Sequence, residues 1–137
     1  MSRLVLPTLC LAAALAVLPA CGDGGSEPAP LADYTGTWVG EYTVSLQPGV
    51  IYVGTLVVSQ TGSSITGTLS TNAGRTADVT GTISGNRLTA TFTYTDSCTG
   101  TASATAQLSA NQQTVTGTYQ STDCNGSYTG AFVLTAQ

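Results

Sequence analysis

The chain has 137 residues, with seven Asp and Glu against three Lys and Arg, no histidine, and a net charge of −4 at pH 7. That balance excludes nucleic acid and anionic lipid headgroups as partners, because both are gripped by clustered cations. With no His and no Lys, no CxxC and no phosphate-binding loop, the sequence is expected to be neither an enzyme nor a holder of a metal or cofactor.

Residues 1–20 read as an export signal. Arg3 precedes Leu4–Val17, an uncharged run that falls short of the roughly 20 apolar residues needed to span a bilayer. Leu18-Pro19-Ala20-Cys21 resembles the lipobox of bacterial lipoproteins. The resemblance implies cleavage before Cys21 and a diacylglyceryl group on its thiol. Two or more acyl chains, palmitate among them, would make the anchor stable where one alone binds only marginally. Gly22 stands where inner-membrane lipoproteins carry Asp, so the resemblance implies the bacterial cell envelope, and its outer membrane in preference to the inner. Residues 21–33, rich in Gly, Pro and small polar side chains, read as the lipidated N-terminus and a flexible tether.

Residues 34–137 alternate with period two between turn signals, which is the pattern of half-buried strands. Eight are expected, over 37–46, 50–60, 64–70, 77–84, 87–96, 100–108, 114–120 and 127–136. VVSQTGSSITGTL, TISGNRLTATF and QLSANQQTVTGTY repeat one hairpin plan. Repeated hairpins imply a meander, and eight meandering strands close most naturally into an all-β, antiparallel, up-and-down barrel without open edges. A two-sheet sandwich is the alternative.

With apolar positions inward, each strand carries one small central residue: Gly40, Gly54, Gly67, Gly81, Ala90, Ala104, Gly117 and Gly130. These either let the strands coil tightly or form the waist of a cavity. Strand direction puts Trp38, Leu56, Ile65, Ile83, Leu88, Val115 and Phe132 at one end. It puts Tyr42, Tyr52, Leu69, Val79, Phe92, Tyr94, Tyr119 and Tyr128 at the other. Tyrosine joins an apolar body to a polar tip, so the second end is either a ligand-stacking mouth or the wet cap of a filled core.

Cys10 lies in the signal and Cys21 in the lipobox, leaving Cys98 and Cys124 as one pair in an oxidising compartment. Both fall on the tyrosine rim, where a disulfide would brace it. Asp96 and Asp123 share that rim, at positions suited to Asx turns. With Asn125 they are also what a weak calcium site or a carboxylate pair would use.

YTGTWVG, containing Gly36-Thr37-Trp38, resembles the GxW motif of lipocalins, and ITGTLS and VTGTYQS resemble strands of avidin-type barrels. These likenesses imply a lipocalin-like, calycin barrel with Trp38 plugging the closed end. The last strand lacks the Arg with which lipocalins cover that Trp, and the extra tryptophans of avidins are absent. The expected function is a membrane-anchored, non-catalytic barrel that binds a small apolar or aromatic ligand through Tyr42, Tyr52, Phe92, Tyr94, Tyr119 and Tyr128. The alternatives are a protein-binding or inhibitor-type barrel with an envelope partner, and a passive structural lipoprotein.

Overall fold

The computed structural model describes residues 30–137. The signal peptide, Cys21 and the tether up to residue 29 lie outside the described residues. Eight strands follow in chain order: β1 (Gly36–Thr43), β2 (Ile51–Thr61), β3 (Ser64–Thr71), β4 (Thr76–Ser84), β5 (Arg87–Tyr94), β6 (Gly100–Leu108), β7 (Thr114–Asp123) and β8 (Gly126–Ala136). Each pairs antiparallel with its sequence neighbours, and β1 pairs with β8, so the sheet closes on itself. The expected all-β, up-and-down barrel is therefore the observed one, and the sandwich is not. Every strand has both edges satisfied within these residues and the core lies among them. The barrel is thus self-contained.

Two strand ends differ from expectation by three residues, and β5 stops at Tyr94, two residues before the expected Asp96. β1 stops at Thr43 instead of Leu46 because the next residues swing across to β8. Ser45 donates its N–H to the carbonyl of Thr129 (2.8 Å), and its Oγ accepts from the Thr129 N–H (3.0 Å). β7 runs on to Asp123, which pairs with Gly126 and shortens the last hairpin turn to Cys124-Asn125.

The register fixes the barrel's shape. From Trp38 the pairing leads through Leu56, Leu69, Ala77, Tyr94, Gly100 and Asp123 to Gly126. Trp38 itself pairs with Ala136, ten residues further along β8. A stagger of that size over eight strands tilts them by about 40° from the barrel axis. It also tilts the small-residue belt. Gly40 faces Gly54 and Ala90 lies between Gly81 and Ala104, but Gly67 faces Val58 and Val79, and Gly130 faces Tyr119. The level waist suggested by the pattern is not formed. Val79, expected among the tyrosines, accordingly packs in the lower core with Ile65 and Ile83.

At Gly40 a Cβ would collide with the carbonyl oxygen of Val133. Glycine there lets the neighbouring backbone into the space a side chain would take, as a tightly coiled wall requires. Gly54 is different: the nearest atom to its Cβ position is Leu69 Cδ1 at 3.5 Å, because Gly54 looks into open lumen. Coiling thus explains Gly40, and space in the interior explains Gly54.

Outward positions are mostly threonine, as along β5 at Thr89, Thr91 and Thr93. The large exposed apolar side chains of the wall, Ile51, Val53, Val57 and Val133, all belong to β2 and β8.

Candidate functional site

The closed end is built from apolar strand positions and a strap formed by the residues before β1. Trp38, Leu56, Val58, Ile83, Leu88, Leu108 and Val115 pack there around Tyr34, which is 2% exposed. Trp38 donates its indole N–H to the carbonyl of Tyr34 (2.8 Å), and Tyr34 donates its hydroxyl to the carbonyl of Asn86 (2.7 Å). Gln60 accepts from the Tyr34 N–H at 2.8 Å and donates to the Ala32 carbonyl at 3.0 Å. Ala32 in turn donates to Gly85 (2.9 Å). A buried indole N–H needs an acceptor, and here a backbone carbonyl supplies it. Tyr34 covers Trp38, with ring centroids 6.4 Å apart. The sequence reading gave Tyr34 and Gln60 no role; the visible signal was an aromatic residue four positions before Trp38.

Above this plug the lumen is open, with a volume of about 450 Å³. Leu56, Leu69, Leu88, Ala90, Ala104, Ala106 and Leu134 form its lower and middle walls. The sequence-predicted residues Tyr42, Tyr52, Phe92, Tyr94, Tyr119 and Tyr128 all line the same cavity. Cavities of this size accommodate drug-sized molecules, and predominantly apolar walls with few polar groups are typical of them. The space arises because alanines stand where bulkier residues would meet: on β6, Ala102, Ala104 and Ala106 point inward in succession.

The tyrosine end is organised by hydrogen bonds around the rim. Tyr42 and Tyr52 stack with centroids 5.3 Å apart, and Tyr119 meets Tyr128 edge to face at 6.3 Å. Tyr119 donates to the carbonyl of Thr43 (2.6 Å), Tyr94 bonds Ser121 Oγ (2.9 Å), and Tyr52 bonds the Gln47 side chain. Burial in this apolar mouth raises the phenols of Tyr42, Tyr119 and Tyr128 above their ordinary range, because the phenolate would lose its hydration. For Tyr128 the bond to an anionic carboxylate adds to that rise.

Arg75 lies at the centre of the rim. Its Nη1 reaches Asp96 Oδ1 and its Nη2 reaches Asp123 Oδ2, both at 2.9 Å, while its Cζ sits 4.0 Å from the Tyr94 ring centroid. Asp123, whose side chain has no exposed surface, also accepts from the Tyr128 hydroxyl at 2.7 Å. Both aspartates make the expected Asx turns: Asp96 Oδ1 accepts from Cys98 N–H and Asp123 Oδ1 from Asn125 N–H, each at 2.8 Å. Hydrogen bonds from the Thr76 and Cys98 N–H groups, with Arg75 nearby, hold the Asp96 carboxyl below its ordinary value. The cation these carboxylates share is thus a guanidinium.

Cys98 and Cys124 are bridged, with Cα atoms 5.2 Å apart, tying the β5–β6 loop to the β7–β8 turn beside this clasp. Asp123 lies next to the two sulfurs, but sulfurs bonded to each other offer a metal no thiolate. The disulfide and both aspartates fall on the rim expected from the sequence, whereas the role of Arg75 does not follow from the strand pattern. Its signal was rarity: Arg75 and Arg87 are the only cations in residues 30–137. No protein-family model matches the sequence, and a search of curated proteins finds no relative.

Proposed function

We propose that the barrel is a non-catalytic cup for a small apolar or aromatic molecule, held at the bacterial envelope by lipid on Cys21. The observation that carries the reading is the lumen of about 450 Å³, aliphatic below and aromatic at its mouth. Such a surface binds through apolar burial and ring stacking, with the few polar groups giving orientation. The chemistry around it supports binding over catalysis. Asp96 and Asp123 are committed to Arg75, and no His or Lys is present to activate a hydroxyl. The likeness of YTGTWVG to the lipocalin motif supports the same reading. The chain enters the barrel at the Trp38 end, so a membrane-tethered barrel would turn its mouth away from the anchoring surface.

Native mass spectrometry of residues 30–137, purified from the natural host with the disulfide intact, tests the cup. A reproducible bound mass that Tyr42→Ala diminishes without unfolding is expected. A protein that is always empty and takes up no apolar fluorescent probe would refute it. For the anchor, palmitate labelling and membrane fractionation of the full chain should both be lost in Cys21→Ser; retention of either would refute lipidation there.

A second reading has one observation behind it. Leu46 and Val50, on the loop between β1 and β2 at the mouth, are 53% and 42% exposed. Apolar loop tips suit an envelope protein partner, in which case Leu46→Asp would abolish capture of that partner and leave the lumen's probe binding unchanged.

A further inference from the structure

Among the phenols of the rim, hydrogen bonding leaves one hydroxyl for the lumen. Among the described residues, the hydroxyls of Tyr34, Tyr52, Tyr94, Tyr119 and Tyr128 each have a protein partner within hydrogen-bond distance, whereas that of Tyr42 has only the Thr71 side chain as a polar neighbour and closes no such bond. Tyr42 is half-buried in the cavity wall, stacked on Tyr52, and its hydroxyl can both donate and accept.

The charged groups of the mouth are already satisfied. Arg75 spends one terminal nitrogen on each of two carboxylates, so the cluster is net negative. All four carboxylate oxygens are engaged too: Asp96 by Arg75, Cys98 N–H and Thr76 N–H, and Asp123 by Arg75, Tyr128 and Asn125 N–H. An anionic ligand at Arg75 would either join two carboxylates already paired with that one guanidinium or displace one of them and leave it charged in an apolar mouth, and both are costly. A cationic ligand finds no carboxylate oxygen without a hydrogen bond of its own to offset its lost hydration.

Resting on the reading of the lumen as a binding cup, we propose that it selects an uncharged ligand, an apolar or aromatic body with one hydroxyl, carbonyl or amide group that bonds Tyr42, and rejects the carboxylate of the same shape. Arg75, conspicuous as the one cation in the cavity wall, then acts as a rim clasp and a screen against anions. It does not act as an anion receptor.

Matched probes of one shape test this by isothermal titration calorimetry on residues 30–137 at pH 7: 2-naphthamide, 2-naphthoate and unsubstituted naphthalene. The amide is expected to bind at least about tenfold tighter than the carboxylate, the scale set by leaving a charged group unpaired. Tyr42→Phe should bring the amide down to the affinity of naphthalene. Asp96→Asn removes one of the two negative charges paired with Arg75 and should narrow the gap between carboxylate and amide, provided its urea unfolding matches the wild type. If wild-type protein binds naphthoate as tightly as naphthamide or more so, the selectivity is refuted while the cup stands. If none of the three binds, the cup itself is refuted, and the selectivity with it.

Discussion

Ala104→Leu distinguishes an open lumen from a filled one by the sign of its effect on stability. Ala104 sits mid-strand on β6, 4% exposed to solvent, and its side chain lines the cavity. Its cross-strand partners Ala90 and Tyr119 flank it along the wall, and the space before it is the lumen. Leucine adds three carbons there. Burying them is worth about 2.4 kcal/mol at about 0.8 per methylene, less about 0.5–1 kcal/mol for the rotamers leucine loses. The empty barrel should therefore gain roughly 1.5 kcal/mol, which for a domain of this size corresponds to about 5–10 °C in melting temperature. Urea unfolding followed by Trp38 fluorescence reads this directly, since Trp38 is the only tryptophan and is buried in the plug. The same variant should bind an apolar probe more weakly, because the added carbons occupy the ligand's space. Destabilisation by about 1–3 kcal/mol, the signature of overpacking, would refute the open lumen and remove the basis of the cup.

Three further outcomes are expected. Reducing the Cys98–Cys124 bridge, 26 residues apart in sequence, should cost about 3.5 kcal/mol on the loop-closure scale; a loss below about 1 kcal/mol, measured by urea unfolding of Cys98→Ser/Cys124→Ser, would mean the rim does not depend on it. Tyr34→Ala strips the plug of a fully buried ring and exposes the Trp38 indole, so unfolding should become easier by about 3–5 kcal/mol and the Trp38 emission should shift to longer wavelength. An unshifted spectrum would show that something else covers Trp38. The phenols of Tyr34, Tyr42, Tyr119 and Tyr128 ionise above their ordinary value in the folded state. Unfolded chains therefore release these protons first, and stability, full below about pH 10, should fall as pH rises beyond it. At pH 10.5 the native protein should show a smaller phenolate absorbance at 295 nm than the same protein in urea; equal absorbances would place these rings in water.

Much of the barrel was legible because its physics is local. Alternation shows which residues face inward, and the turn residues place most strand ends to within a residue, as in β6, whose bounds fall at Gly100 and Leu108 as expected, while β1, β5 and β7 end two or three residues away. Meander topology then followed from short connections, and it brought Cys98 and Cys124 to one rim. Barrel stagger was not legible, because it depends on how eight strands close together, and a pattern along one strand carries no trace of it. That is why Val79 was assigned to the wrong end and the glycine belt was drawn level. Tyr34 and Arg75 escaped for a different reason. Each works outside the period-two pattern, Tyr34 ahead of β1 and Arg75 in the turn before β4, and turn residues are read for their backbone more readily than for their side chains. The open lumen was likewise undecided in the sequence, since an inward alanine is compatible with a small neighbour across the barrel or with none.

The two ends of the barrel solve the same problem in opposite ways, and the difference explains how a lumen rimmed by tyrosines can remain apolar. At the closed end the indole N–H must be satisfied without water, so the chain doubles back and Tyr34 presents its carbonyl to Trp38. The polar groups that come with this strap are satisfied in turn, the Tyr34 hydroxyl by the Asn86 carbonyl and the Gln60 side chain by Tyr34 and Ala32. At the mouth there are five phenols, and their rings contribute apolar wall only if their hydroxyls are directed elsewhere. Four are held by bonds to Gln47, Ser121, the Thr43 carbonyl and Asp123. Asp123 would be an uncompensated buried anion without Arg75, and Arg75 would be a bare cation facing apolar walls without Asp96 and Asp123. The clasp is therefore the counterpart of the plug: it absorbs the charge that bonding the phenols requires, and the lumen's mouth keeps an apolar wall.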